Sequence, residues 1–228
     1  MRLNAFIAKS GVCSRRKAAL LVKEGKVTHN GVIVREPYLE VADNDNIEVD
    51  GKPLQAKKHA YLIFNKPKGV TTTCLDKFAD KKVTDYIPER FGRLYPVGRL
   101  DKDSRGLIIL TNDGASCYAL THPKFEVEKE YLVTVKGVAR RRHLDSLKKG
   151  VEDDGDFLKV KSASLQASSK DTSVISAVVA EGKKRHLRRL FKRLGFTVID
   201  LERVRIGDIH LGSLKEGAYK VIEKPLHN

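Results

Sequence analysis

The chain has 228 residues, 44 Lys and Arg against 29 Asp and Glu, and 41% apolar residues. The apolar fraction is high enough to fill a core, which argues against a disordered chain and predicts one or two domains, while the formal charge of +15 points to a polyanionic partner, of which nucleic acid is the commonest. No apolar run exceeds five residues, so neither a bilayer span nor a signal-peptide core is expected, and the chain reads as soluble and cytoplasmic, with no membrane partner. Cys13, Cys74 and Cys117 are far apart, and no two of the seven histidines lie closer than 17 residues. That scatter predicts buried thiols in a reducing compartment and no metal site.

In chain order, Leu3, Phe6 and Ile7 have helical spacing, and Ser14 is the expected N-cap of a second helix through Ala18, Leu21 and Val22. Val27, the Asn30-Gly31 turn and Val32 to Val34 predict a hairpin, and Ile47 to Val49 a further strand. Between Arg2 and Lys26 stand seven bases and one acid, whereas 36–50 holds acids and no base. The cationic helical half is read as either a solvated face or a phosphate-binding one. Residues 51–59 are polar and weakly periodic, which places a linker there, with domains at 1–50 and 60–228. In the second, strands are expected at Tyr61 to Phe64, Leu107 to Leu110, Tyr131 to Val135, Phe157 to Val160 and Ser173 to Ala180, with helices at Leu144 to Lys149 and Arg185 to Leu194. Leu187, Leu190, Phe191 and Leu194 follow i, i+3, i+4, i+7, an apolar stripe that must pack on a sheet. The class is mixed α+β.

The densest polar cluster is Gly98-Arg99-Leu100-Asp101-Lys102-Asp103-Ser104-Arg105-Gly106, directly before a strand. Asp101, Asp103 and Asp113 could each be a nucleophile, a base or a turn-forming cap, and composition does not choose among them; Asp113 before Gly114 best fits a cap. From Glu181 to Arg193 there are seven bases and one acid, suited to phosphate. Lys129 and Tyr131 share a strand face, where Tyr131 could stack on a base or serve simply as a strand aromatic. The Thr71-Thr72-Thr73 run suggests no chemistry. Neither a Walker-type loop nor a dinucleotide glycine pattern occurs, so nucleotide-driven chemistry is not expected.

The segment Gly98 to Leu107 resembles the catalytic signature of ribosomal RNA pseudouridine synthases. Asn65-Lys66-Pro67-Lys68-Gly69, Thr111-Asn112-Asp113-Gly114, Lys129-Glu130-Tyr131, Glu181 to Arg189 and Arg203-Val204-Arg205-Ile206-Gly207 are similar to the same family in the same order. The branch is the one acting on small- or large-subunit rRNA, the RsuA/RluB type. Arg2-Leu3-Asn4 and Ser14-Arg15-Arg16 resemble its small N-terminal α-L RNA-binding module. The resemblance implies a small α-L RNA-binding domain followed by a pseudouridine synthase catalytic domain built on a central mixed, largely antiparallel sheet.

It further implies that Asp101 is the catalytic nucleophile, that Arg99 fills the space of a flipped uridine, that Tyr131 lies against the target base, and that Leu187 lines the pocket. Arg188 would pair with Asp101, and Lys129 would contact substrate. Arg2, Arg15, Arg16 and Lys17, with Lys183, Lys184, Arg185 and Arg189, would meet RNA phosphates, giving a salt slope of roughly −0.7 per phosphate on single strands. Ser104 and His186 depart from the usual Thr and Gln of the family. The implied reaction is uridine isomerisation in rRNA or a ribosomal-subunit assembly intermediate, with large-subunit rRNA slightly preferred, no cofactor and a monomeric enzyme. The competing readings are a non-catalytic ribosome-assembly factor of the same fold and a metal-dependent RNA hydrolase using Asp101 and Asp103.

Overall fold

The computed structural model describes residues 1–55, 57–74 and 79–225, which fall into two units: Met1–Ala60 with Pro88–Leu94, and Tyr61–Ile87 with the chain from Tyr95 onward. Ala56, within the expected linker, and 75–78 and 226–228, within the expected catalytic range, lie outside the described residues. No helix is long and apolar enough to cross a membrane among the described residues.

In the first unit, α1 (Leu3–Lys9) buries Leu3, Phe6 and Ile7. Ser14 caps α2 (Arg15–Lys23), its Oγ accepting the Lys17 N–H at 3.2 Å. β1 (Val27–His29) and β2 (Val32–Ile33) close around Asn30 and Gly31, whose φ values of 50° and 82° supply the twist a two-residue hairpin needs. β3 (Ile47–Val49) and β4 (Lys52–Pro53) complete the order β2-β1-β3-β4. Thus part of the stretch expected as linker is a strand. Val22, Val27 and Ile47 close the core between helices and sheet.

The second unit runs β5 (Tyr61–Lys66), β6 (Tyr95–Val97), β7 (Arg105–Thr111), α3 (Gly114–Thr121), β8 (Lys129–Lys136), α4 (Arg141–Lys149), β9 (Val151–Asp153), β10 (Asp156–Leu158), β11 (Ser162–Ser168), β12 (Thr172–Val179), α5 (His186–Arg193), β13 (Thr197–Ile206), β14 (Ile209–His210) and β15 (Tyr219–Ile222). Nine of these strands form one sheet in the order β11-β12-β8-β13-β7-β5-β15, with β14 on β13 and β6 on β7. β7 and β13 pair in parallel and the other ladders are antiparallel, so the sheet is mixed and largely antiparallel. The predicted stripe of α5 packs Leu187, Leu190 and Phe191 on it, together with Leu147 of α4. The expected strand at 157–160 is shorter: it ends at Leu158, and Val160 is buried beyond it with its N–H on the Leu147 carbonyl.

The central seam positions the site. Gly106 lies opposite Arg203 across the parallel pair, and Arg203 lies opposite Tyr131 across the next ladder. A Cβ on Gly106 would stand 2.4 Å from the Arg203 carbonyl oxygen, so only glycine permits that approach.

Candidate active site

The Asp-bearing loop that enters β7 is braced by the segment after β5. Thr72, which is buried, donates its hydroxyl to the Leu100 carbonyl at 2.9 Å and accepts the Leu100 N–H at 3.3 Å. The Gly69 N–H donates to the Lys102 carbonyl at 2.8 Å. Lys66 is fully buried, and its Nζ donates to the Pro67 and Val70 carbonyls at 2.8 Å each. Burial pulls its pKa down to about 8, against the opposing pull of the Asp103 and Asp101 charges. Both flanks of Asp101 are therefore held by a turn whose own shape is fixed from inside.

Asp101 opens into a cleft of about 420 Å³ that Arg99, Ser104, Tyr131, Leu187 and residues 181–186 also line. Its side chain keeps 41% of its exposure, and its Oδ2 faces Arg185 Nη1 at 3.7 Å. The ion pair expected from Arg188 is formed differently. Arg188 Nε lies 3.3 Å from Asp103 Oδ2, and its Nη2 donates to the Asp103 carbonyl at 2.9 Å and to Ser104 Oγ at 3.3 Å. Arg185, which precedes α5 in the left-handed region at φ 50°, reaches both carboxylates, its Nη2 3.4 Å from Asp103 Oδ2 and its Nη1 3.7 Å from Asp101 Oδ2, so Asp103 meets both arginines. Arg188 lines a neighbouring hollow that it shares with Asp101 and Asp103. Asp113 is a cap, accepting from Ala115 N–H, Ser116 Oγ and Tyr61 OH.

Tyr131 accepts a 3.4 Å hydrogen bond from Arg203 Nη1. Arg203 is itself buried, with its Nε on the Leu107 carbonyl at 2.8 Å. Lys129, expected to meet substrate, is not among the residues lining the cleft; it donates to the Val127 carbonyl at 2.8 Å, and burial together with the Arg203 charge lowers its pKa to about 8. The two residues do share a face of β8, but the lysine bends back onto its own strand entry. His186 is buried with its Nε2 on the Lys159 carbonyl at 2.9 Å, and burial lowers its pKa. The departure from Gln thus places a structural hydrogen bond at the base of the cleft.

The expected phosphate contacts divide. Arg15, Arg16 and Lys17 are exposed on α2, Arg2 lies over the Tyr38 ring, and Lys184 is exposed at the cleft. Lys183 is tied to the Phe157 carbonyl and to Glu181. Arg189 has intramolecular partners: its Nε sits 2.6 Å from Asp153 Oδ2, its Nη1 2.7 Å from Asp156 Oδ2, and its Nη2 donates to the Asp153 carbonyl. Those bonds clamp α5 to the β9–β10 hairpin.

Sequence reasoning passed over Thr72, Lys66 and Arg203 as site residues. The latter two stood in family-like segments, but nothing in their spacing showed that they are buried. No group of three or more His, Cys, Asp or Glu side chains is placed to hold a metal among the described residues.

Residues 60–193 match the model of the RNA pseudouridylate synthase family, and residues 1–47 match that of the S4 domain. A Bacillus subtilis protein named ribosomal large subunit pseudouridine synthase B is 39% identical, the alignment covering 95% of this chain and 89% of that protein. An Aquifex aeolicus protein named as an uncharacterized RNA pseudouridine synthase is 35% identical, over 98% and 91%. A crystal structure of a pseudouridylate synthase superposes with TM-score 0.67 at 29% identity, covering 98% of this chain and 96% of the other.

Proposed function

We propose, from the premise that the chain belongs to the RNA pseudouridylate synthase family and carries an S4 domain ahead of the synthase fold, that it isomerises a specific uridine of large-subunit ribosomal RNA in the cytoplasm, with Asp101 as nucleophile. The observation that carries the reading is the accessible Asp101 carboxylate in a cleft that Tyr131 and Leu187 also line, facing Arg185 at 3.7 Å. The large-subunit assignment is supported by the name of the Bacillus subtilis relative, which aligns over nearly the whole chain.

The chemistry is an internal exchange: the N-glycosidic bond breaks, the uracil turns while held, a carbon–carbon bond to ribose forms, and the displaced ring proton is balanced by one gained at the freed nitrogen. Asp101 attacks the anomeric ribose carbon as the N-glycosidic bond breaks and is released as a carboxylate when the uracil ring carbon bonds there; Tyr131 and Leu187 hold the base in the cleft, and Arg185 offsets the carboxylate charge. The target must leave its stack to reach Asp101, at a cost of a few kcal/mol. Arg99, exposed at the cleft mouth, occupies the space left behind. Affinity comes from phosphates met by Arg15, Arg16, Lys17 and Lys184, while RNA shape and unpaired bases set the site.

The test is release of tritium from uridine labelled at the ring carbon that becomes bonded to ribose, in rRNA incubated with wild type and with Asp101→Asn in the presence of chelator. Release by wild type alone supports the isomerase and its nucleophile together. Tight rRNA binding without release from free rRNA or assembly intermediates overturns it in favour of an assembly factor. Mapping pseudouridines in a deletion strain overturns the large-subunit assignment if only a small-subunit position is lost.

A further inference from the structure

The outer face of α4 takes no part in the cleft, yet it is the most cationic stretch of the second unit outside α5 and its approach. From Lys136 to Lys149 six bases stand against one acid, Asp145, which lies 2.9 Å from Lys148. Among the described residues Arg140, Arg141 and Arg142 are exposed and have no carboxylate within ion-pair distance. Several other arginines of this unit are paired with carboxylates: Arg105 with Asp200 and Glu202, Arg205 with Glu128 and Glu130, Arg189 with Asp153 and Asp156, and Arg193 with Asp153. The 140–142 triplet instead matches Arg15, Arg16 and Lys17 of the S4 domain, three consecutive exposed bases; Arg142 donates to its neighbour His143, at 3.3 Å. The field is felt locally, since His143 is pushed toward its neutral form by burial and then by Arg142 and Arg140.

Fold stability does not ask for this arrangement. Neither α2 nor α4 has an acid in its first turn, and bases placed there oppose the helix dipole. The face is also rigid: Leu147 is fully buried in the cluster that holds Leu187 and Leu190 of α5, and the His143 ring meets Phe196 edge-on at 5.0 Å. A packed helix that shares its core with the helix at the cleft presents charge at little further ordering cost, which suits a long polyanion reaching beyond the modified nucleotide.

We infer that the outer face of α4 is a second phosphate-binding surface, which takes RNA backbone outside the target site and adds affinity without reading bases. This rests on the RNA-modifying reading above for the identity of the polyanion. A phosphate backbone fits better than an acidic protein surface, because exposed arginines fanned around the first turn of α4 meet evenly spaced charges without needing shape complementarity.

The test uses the full chain with Arg140, Arg141 and Arg142 changed together to Gln, a charge-retaining triple Lys variant, and a large-subunit rRNA transcript. The Gln variant is expected to melt as wild type does, to bind about tenfold more weakly near 0.1 M salt with a salt slope shallower by about 2, and to keep its tritium-release rate at saturating RNA within twofold. The Lys variant keeps wild-type binding. Unchanged affinity and slope in a folded Gln variant overturn the surface, as does polyglutamate competing as well as RNA of equal charge. Wild type that binds through the triplet but releases no tritium leaves the surface standing and removes the isomerase reading instead.

Discussion

The hydroxyl of Thr72 both donates to and accepts from the backbone of Leu100, at 2.9 and 3.3 Å, and so fixes the residue between Arg99 and Asp101. Thr72→Val keeps the volume but leaves a buried N–H and a buried carbonyl unpaired, at a cost of about 1–3 kcal/mol. The released loop no longer aims Asp101, so single-turnover isomerisation is expected to fall by about tenfold or more while RNA affinity holds. Thr72→Ser, which keeps the hydroxyl, restores most of the rate. A Val variant with wild-type turnover would show that the loop needs no such brace.

Arg189 separates structural charge from binding charge. Its bonds to Asp153 and Asp156 clamp α5 to the hairpin at 151–158. Arg189→Ala is expected to lower the melting temperature while leaving the salt slope of RNA binding unchanged, whereas Lys184→Ala does the reverse. Binding titrations at four salt concentrations beside thermal unfolding check both. A shallower slope in the Arg189 variant would return that residue to the RNA interface.

Lys66 and Lys129 make stability depend on pH in a definite direction. Both hold their proton with a folded pKa of about 8, below the unfolded value of about 10.4. Between those values the unfolded chain binds more protons, so each lysine destabilises the fold at neutral pH and that penalty is relieved as pH rises through 8 toward 10. Urea unfolding of wild type and of Lys129→Met from pH 7.5 to 10 is expected to show wild type gaining stability relative to the variant. A constant difference across that range would place the Lys129 ammonium in water.

What was legible in the sequence follows from where periodicity coincides with burial. The apolar stripe of α5, the Leu3-Phe6-Ile7 face, the Ser14 cap and the Asn30-Gly31 turn all carry their signal within a few residues, and the structure has them. β11 was not legible: Ser162 to Ser168 is a mostly exposed strand of small and polar residues, defined by its ladder to β12. β13 was hidden by its charges, since Asp200, Glu202, Arg203 and Arg205 read as surface until Arg105, Glu130 and Tyr131 are brought against them. The loop around Asp101 stood out by charge density. The arginine that faces it, Arg185, sits in a left-handed turn, and a non-glycine residue gives no local sign of that conformation.

Gly106 tests whether the seam beneath the site is as tight as its geometry. Its φ of 105° strains any L side chain, and a Cβ would meet the Arg203 carbonyl oxygen at 2.4 Å and the Arg203 nitrogen at 2.6 Å, both backbone atoms that cannot swing away. Gly155, in the β9–β10 turn, has φ 73° and open space around it, so it carries the conformational penalty without the clash. Gly155→Ala is expected to cost about 1 kcal/mol, and Gly106→Ala more than about 3 kcal/mol. Urea denaturation of both variants measures the difference. Because β7 leads from the Asp101 loop and β13 carries the arginine that donates to Tyr131, the surviving folded fraction of Gly106→Ala should also isomerise more slowly. Equal destabilisation by the two alanines would mean that β7 and β13 part without cost, and that the active site does not depend on their close pairing.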